Sequence, residues 1–230
     1  MGKKEEIAAL LQNRQFDRLA ELVVRKKTYL KYLYRLLYDT QSLLRWRAVE
    51  GIGAVADRLA DTDEEAVRII LRNLLWSIND ESGGIGWSAP ECIGEIVSRR
   101  PEKFKEFASI ILFHADEQML RRGVLWAACR IARSRPELVE KFLPAWHVFL
   151  HDPDAVVRGY TLLLFAITGE GIDGVHLERL LHDYGAVPVY ENGELDTTTV
   201  AELAARLASR THAEQPSGAF TVPDGERSAP

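Results

Sequence analysis

Apolar and small residues recur at helical spacing over residues 44–59, LRWRAVEGIGAVADRL, and the same pattern returns three more times. Counted from Arg45, small or apolar side chains fall at +3, +6, +7 and +8, whereas +1 and +5 lie on the opposite side of the helix. The pattern restarts at Gly86, Arg121 and Arg158, at intervals of 41, 35 and 37 residues. These intervals match a helix pair, so the chain is predicted to be an all-α protein, a right-handed α-solenoid.

The segments between these repeated helices complete the pairs. We expect a capping pair at 4–12 and 16–26, followed by outer helices at 28–38, 64–78, 101–114 and 136–151. Pro144 predicts a kink in the last of them, because proline cannot donate a backbone hydrogen bond. A short helix is then expected at 175–184.

The pattern changes after Thr168. Asn192 and Gly193 stand between two apolar runs and predict a small β-hairpin, and a last helix is expected from Thr197 to Ser209. The predicted organisation is a solenoid with its N-terminal cap at 1–170, a C-terminal cap with hairpin and helix at 171–211, and a disordered tail at 212–230.

The start of each repeat carries a further signature. An acid followed by an apolar residue and Arg, as in DPDAVVR at 152–158 and DTQSLLR at 39–45, resembles the HEAT-like repeats of the phycobilisome-lyase type over residues 28–170. We expect the acid of each such loop to pair with the arginine that follows it. Gly86 stands where the repeat has arginine. Proteins similar to these include lyases, glycosylases and scaffolds, so the resemblance implies a fold and no single activity.

Composition and charge narrow the classes of function. The 230 residues carry a formal net charge of −5 and contain no apolar run long enough to span a membrane, so neither nucleic acid nor a membrane is the expected partner. The start, MGKKEE, lacks an apolar signal region, and Cys92 and Cys129 fall at small packing positions. A cytoplasmic location is therefore expected, with reduced, buried cysteines.

The sequence contains no clear metal-binding or catalytic motif. The six histidines form no H-E-x-x-H pattern, and His147 and His151, four residues apart, have no third ligand in view. No P-loop, nucleophile elbow or Cys-His motif is found. No catalytic residue, metal or cofactor is predicted, and the protein is expected not to be an enzyme.

The outward positions of the repeated helices define a candidate binding groove. By helical geometry, +1, +5 and +9 share one side, which in a solenoid lines the concave surface. Exposed tryptophan beside arginine is typical of binding hot spots. The alternative is that the tryptophans pack on one another. The candidate groove residues are Trp46, Glu50, Trp87, Glu91, Glu95, Arg122, Trp126 and Arg130.

A glycine-rich loop at 79–87 is the second candidate site. Because Gly86 removes an arginine partner, its two acids could bind a ligand, and its glycines would let backbone amides approach closely. The alternative is a flexible insertion with solvated acids. The candidate residues are Asp80, Glu81, Gly83, Gly84 and Gly86.

Two functions follow from these candidates. The first is a non-enzymatic scaffold that binds a protein or peptide in the concave groove. The second rests on a fainter resemblance to the HEAT-like alkylpurine DNA glycosylases, seen in Trp76, the loop and residues 93–102. That resemblance implies a catalytic aspartate near Gly86, where no acid stands, so Asp80 would have to replace it. We favour the scaffold.

Overall fold

The computed structural model describes residues 2–39, 42–78 and 88–213, with side chains as far as Ser209. Its α-helices are α1 (Lys3–Gln12), α2 (Phe16–Arg25), α3 (Leu30–Leu36), α4 (Leu43–Ala60), α5 (Glu64–Ile78), α6 (Ala89–Arg99), α7 (Pro101–Leu112), α8 (Arg121–Ser134), α9 (Leu143–Trp146), α10 (Ala155–Thr168), α11 (Gly174–Leu181) and α12 (Val200–Ala213). Short 3-10 segments are Lys27–Tyr29, Phe113–Asp116, Pro136–Leu138, Glu140–Phe142 and His147–His151. Two strands, β1 (Ala186–Glu191) and β2 (Glu194–Thr199), pair antiparallel.

The inner helices form one continuous row. α2, α4, α6, α8, α10 and α12 each pack against the next, and α3, α5, α7 and the segments at 136–151 lie outside them. Small residues allow the close crossings: a Cβ atom added to Gly94 of α6 would lie 2.5 Å from Ala127 Cα of α8. The predicted all-α repeat of helix pairs is confirmed, and the small positions of its pattern are the crossing points.

Local sequence signals set the helix ends. Ser42 Oγ accepts the Leu44 amide at 3.0 Å at the start of α4, and Asp154 Oδ1 accepts the Val156 amide at 2.9 Å at the start of α10. Gly169 ends α10 with φ of 75°, a conformation that glycine adopts without steric cost.

Two predicted helices are corrected by the structure. The expected outer helix at 136–151 is a chain of 3-10 turns around the four-residue α9, and Pro144 near its centre cannot donate the bond that a continuous helix requires. The last helix begins at Val200 instead of Thr197, because Thr197 pairs with Pro188 in the hairpin. Thr199 caps it: its hydroxyl accepts the Glu202 amide at 3.2 Å, and Glu202 accepts the Thr199 amide at 3.1 Å.

A series of ion pairs between arginines and acids, here called the arginine ladder, joins successive repeats. Each arginine was predicted to pair with the acid of its own loop, and it pairs instead with an acid of the following segment. Arg121 donates to the carbonyl oxygens of Ala115 and Asp116 on its own turn, and its ion pair is with Asp152 of the next repeat at 2.5 Å. Arg158 donates to the Asp152 carbonyl at 2.6 Å and pairs with Asp183 at 2.6 Å. The acid that pairs with each of these arginines therefore lies in the following segment, so the ladder ties neighbours together.

The β-hairpin lies across the row of inner helices. β1 packs on α10, and β2 contacts both α12 and α4, although α4 lies near the other end of the row. Its turn is the predicted one: Asn192 and Gly193 have φ of 52° and 81°, as a two-residue hairpin requires. Across the described ranges, no helix combines the length and the apolar character needed to cross a membrane.

A candidate binding face on the inner helices

The structure brings two tryptophans from distant parts of the chain together. Trp46 of α4 and Trp126 of α8 contact each other, with ring centroids 5.2 Å apart and planes inclined by 46°. Arg130 and Arg133 border Trp126, and Glu50 lies on the Trp46 side, where both Glu50 and Trp46 contact Tyr190. We call the surface formed by Trp46, Glu50, Trp126, Arg130 and Arg133 the inner face.

The inner face is not an open groove. Trp46, Glu91, Glu95 and Trp126 were expected to be exposed, but each is buried, with an exposed fraction of 6% or less. The tryptophans are buried because they pack on each other and because Tyr190 of β1 stacks on Trp46. Glu91 and Glu95 are buried between helices, where they pair with arginines. The prediction of an exposed groove at these four positions is therefore wrong, because helical spacing cannot show which elements pack over a side chain.

Tyr190 fills the centre of the inner face. Its ring stacks on Trp46, with centroids 5.6 Å apart and planes 12° apart, and its hydroxyl donates to Glu50 Oε2 at 2.5 Å. Burial and this bond to a carboxylate raise the pKa of Tyr190 above its ordinary value. The phenol therefore stays a neutral donor.

The tip of the hairpin is held by arginines of two inner helices, α4 and α8. Arg47 donates to the Gly193 carbonyl at 3.1 Å, to Glu194 at 3.2 Å and to the Gln12 carbonyl at 2.6 Å. Arg133 of α8 forms an ion pair with Glu191. Arg47 thus links the N-terminal cap, α4 and the hairpin at one point.

The base of the hairpin is packed more tightly than its tip. Val187 is fully buried, and a Cβ atom on Gly159 of α10 would lie 2.5 Å from its Cγ2. The Tyr160 hydroxyl donates to the Pro188 carbonyl at 2.7 Å. The hairpin thus divides into a closely packed base and a tip whose ion pairs at Glu191 and Glu194, but not its Tyr190 ring, are exposed to solvent.

Glu91 has a structural partner behind the inner face. Arg45, itself buried, donates to Glu91 Oε1 at 2.5 Å and to Ser88 Oγ at 3.0 Å, and its guanidinium lies 4.4 Å from the Trp46 ring centroid. Glu91 Oε2 has no hydrogen-bond partner among the described residues. It lies beside Gly123 in the first turn of α8, where the helix dipole favours a negative charge.

The other candidate charges are also paired. Arg99 Nε and Arg130 Nε each donate to the buried Glu95 carboxylate at 2.8 Å, and Arg130 lies 5.5 Å from the Trp126 ring centroid. Arg122 is exposed and pairs with Asp154. Glu95 therefore joins α6 to α8 instead of facing a ligand.

The remaining candidate residues lie outside the described ranges. Trp87 and the loop residues Asp80, Glu81, Gly83, Gly84 and Gly86 belong to the segment at 79–87, as does the acid on which the glycosylase alternative depends. Their proposed roles stay predictions.

An open cleft adjoins the covered part of the inner face. It measures about 590 Å³ and lies between α2 and α4, with Glu50 at the boundary to Tyr190. Asp17 and Glu21 of α2 and Asp57 and Arg58 of α4 line it. The repeat pattern gave no indication that α2 contributes to this cleft, although the spacing of Asp17 and Glu21 by four places them on one side of that helix.

The two cysteines are buried and have unreactive, protonated thiols. Burial raises the pKa of Cys129 to about 12 and that of Cys92 well above its ordinary value, so both stay protonated at neutral pH. Within the ranges that the structure describes, no group of three or more His, Cys, Asp or Glu side chains is placed to hold a metal ion.

The chain has a helical-repeat fold, and its inner helices carry the inner face. No protein-family model matches the sequence, and no curated protein sequence matches it significantly. Among solved structures, the chain is similar to the crystal structure of the archaeal HEAT-like repeats protein from Thermococcus onnurineus NA1. The sequences are 15% identical, the match covers 96% of this chain and 84% of that one, and the TM-score is 0.41.

Proposed function

We propose that this protein is a non-enzymatic interaction scaffold that binds a protein or peptide segment on its inner face. The partner segment would occupy the position of the hairpin tip and extend into the adjoining cleft between α2 and α4. Trp46 and Glu50 would receive an aromatic residue, and Arg133 an acidic one. Trp126 and Arg130 would support the aromatic position from behind.

One observation carries the proposal: the inner face already holds a turn of the chain's own backbone. Tyr190, Glu191 and the Gly193 carbonyl each meet a matching group, namely the Trp46 ring, Arg133 and Arg47. Aromatic stacking, charge pairing and main-chain hydrogen bonds are the contacts by which protein surfaces recognise peptides. A segment of another protein with an aromatic–acid pair would find the same groups.

The division of the hairpin into two halves supports exchange at the tip. Val187 holds the base by apolar packing, whereas the ion pairs of the tip join Arg47 and Arg133 to the exposed carboxylates of Glu194 and Glu191. The buried Tyr190 ring is the contact that an aromatic residue of the partner would have to replace. Surface ion pairs contribute only about 0–1 kcal/mol each, so the Arg47 and Arg133 pairs give way more readily than the base. The cleft beside Glu50 gives a competing segment a place to begin binding.

The proposal is tested by capture of partners with an opened variant of the full-length protein. The opened variant removes the side-chain contacts of the tip while Val187 and Pro188 stay: Tyr190→Ala, Glu191→Ala and Glu194→Ala. A matched control variant changes the same residue types at exposed positions elsewhere: Tyr184→Ala, Glu178→Ala and Glu137→Ala. Each protein is immobilised and exposed to native cell extract.

The expected result is a set of proteins retained by the opened variant and released by a cyclic peptide of residues 188–196. The same peptide with Tyr190→Ala should not release them, and the control variant should retain no more than the parent. Proteins that stay bound whatever peptide is added would show that the inner face is not a docking surface.

A further inference from the structure

A cluster of positive charges lies in the N-terminal part of the chain, between the end of α2 and the end of α3. Lys26 Nζ lies 5.2 Å from the ring centroid of Tyr29, and Lys31 Nζ lies 5.1 Å from that of Tyr32. The Arg35 guanidinium lies 5.9 Å from the centroid of the same Tyr32 ring, and the two rings are 6.0 Å apart. We call the surface formed by these five residues the basic patch.

The tyrosine rings hold the cations of the basic patch close together. Both rings are half-buried, whereas the side chains of Lys26, Lys31 and Arg35 are exposed. A cation over an aromatic ring is attracted by the negative face of that ring. The rings therefore restrict three long side chains to one small surface, so that less conformational entropy is lost when these side chains bind an anion.

The cations of the basic patch have no acidic partner within the described part of the chain. Neither Lys26, Lys31 nor Arg35 forms an ion pair with a described residue. Elsewhere on the outer layer, the exposed Arg72 pairs with Glu65 at 2.5 Å. The chain carries 34 acidic and 29 basic side chains, so a shortage of acids does not explain the unpaired cluster. Three cations held together without a counter-charge form a surface that is complementary to an anionic partner.

Acidic side chains border the basic patch and limit the length of an anionic partner. Glu6 pairs with Lys3 at 2.6 Å, Asp63 pairs with Lys27, and Asp39 follows the end of α3. A long polyanion, such as a nucleic acid or the surface of an anionic membrane, would meet these acids as well as the patch. The net charge of −5 disfavours such polyanions further. A short anionic segment meets only the three cations.

The rings of the basic patch are not free to stack with nucleic-acid bases. Proteins bind single strands largely by stacking bases on exposed aromatic rings. Here Tyr29 and Tyr32 are half-buried, and the cations of the patch lie over them. What the surface offers is a set of ammonium and guanidinium groups, which form strong charge-assisted hydrogen bonds with carboxylates. This favours an acidic protein segment over a nucleic acid.

From these observations we propose that the basic patch binds a short acidic segment of a partner protein, whose carboxylates pair with Lys26, Lys31 and Arg35. The patch lies beside α3 in the outer layer, whereas the inner face lies on α4 and α8. The proposal is therefore independent of the one for the inner face.

The test uses a defined probe, a fluorescently labelled peptide of six glutamates, to which full-length protein is added while fluorescence anisotropy is followed. The patch variant removes the three cations: Lys26→Gln, Lys31→Gln and Arg35→Gln. A matched control variant removes the same charges at exposed positions elsewhere: Lys105→Gln, Lys141→Gln and Arg206→Gln. Because all six positions are exposed, both variants should unfold at the same urea concentration as the parent.

We expect saturable binding of the peptide to the parent, weakened at least about tenfold in the patch variant and unchanged in the control variant. The affinity should fall as the salt concentration rises, because exposed charges are screened. A peptide of six glutamines should not bind. Absence of saturable binding to the parent, or an equal loss of affinity in the two variants, would overturn the proposal, since an equal loss would mean that only net charge matters.

Two further probes test the other anionic partners. Tighter binding of a six-nucleotide oligothymidine than of the glutamate peptide, lost in the patch variant, would assign the basic patch to single-stranded nucleic acid. Binding to vesicles of phosphatidylserine and phosphatidylcholine that is lost in the patch variant, without binding of the peptide, would assign it to a membrane surface. Either result would overturn the proposal of an acidic protein segment.

Discussion

The ring of Tyr190 stacks on the indole of Trp46, with centroids 5.6 Å apart and planes 12° apart. This contact joins the hairpin, near the C-terminal end of the row of inner helices, to α4 near the other end. Because the hairpin reaches across the row, it joins α4 to α10 and α12, which are not neighbours of α4 in the row. In a simple solenoid each repeat contacts only its neighbours.

Removing this ring should therefore destabilise the whole protein. Tyr190→Ala is expected to lower the free energy of unfolding by about 3 kcal/mol, as expected for loss of a buried aromatic ring. The exposed Tyr184 supplies a matched control, since Tyr184→Ala should stay within about 0.5 kcal/mol of the parent. Urea unfolding measures both, and equal stability of the two variants would show that the contact with Trp46 contributes little.

Substitution of a part-buried arginine of the ladder should lower the free energy of unfolding more than substitution of an exposed arginine. Arg158→Ala leaves the part-buried Asp183 without its ion pair and should cost about 1–3 kcal/mol. Arg122→Ala removes an exposed pair with Asp154 and should cost less than about 1 kcal/mol. Thermal unfolding of the two variants measures both losses of stability. A larger loss for Arg122→Ala than for Arg158→Ala would contradict a structural role of the ladder.

The Arg158–Asp183 pair also predicts a pH dependence. Burial disfavours the ionised Asp183, but hydrogen bonds from Arg158 and from the Gly185 amide outweigh burial, so its pKa is lowered. Because the pKa is lower in the folded protein, ionised Asp183 stabilises the fold at pH values above its ordinary pKa of 3.8. This stabilisation is lost as the pH falls toward the lowered pKa.

Asp183→Asn should therefore be less stable than the parent at neutral pH, and the difference between the two should narrow as the pH falls below about 4. Urea titrations at several pH values measure it. A difference in unfolding free energy that stays constant through the acid range would contradict the prediction, because it would mean that folding does not change the pKa of Asp183.

The close crossing of α6 and α8 gives a steric prediction. A Cβ atom on Gly94 would lie 2.5 Å from the main chain at Ala127, which cannot move without separating the helices. Gly94→Ala should thus cost about 1–3 kcal/mol. Gly171 has no atom within 4 Å of an added Cβ, so Gly171→Ala is the control and should be near neutral. Unfolding of both variants in urea measures the contrast, and equal stability would place the crossing elsewhere.

Much of the fold could be predicted from the sequence because it depends on local patterns. The inner helices, the outer helix α5 and the Asn192–Gly193 turn follow from apolar spacing, capping residues and turn chemistry. The outer segment at 136–151 could not, since the effect of Pro144 on a whole helix depends on tertiary packing.

The candidate site was predictable only in part. Helical spacing placed Trp46 and Trp126 on one side, but their burial depends on a hairpin far away in the chain, and no local pattern reports such a contact. The ladder shows the same limit: Arg158 and Asp152 lie near each other in sequence, yet the ion pair of Arg158 is with Asp183.

The most direct measurement for the inner face is calorimetric titration of the cyclic peptide of residues 188–196 into full-length protein. With the opened variant, Tyr190→Ala, Glu191→Ala and Glu194→Ala, we expect one-to-one binding at least about tenfold tighter than that of the same peptide with Tyr190→Ala. The parent, whose own hairpin occupies the face, should bind the peptide at least about tenfold more weakly than the opened variant. Absence of saturable binding to the opened variant, or equal affinity for the parent, would contradict the inner face as a site for protein segments.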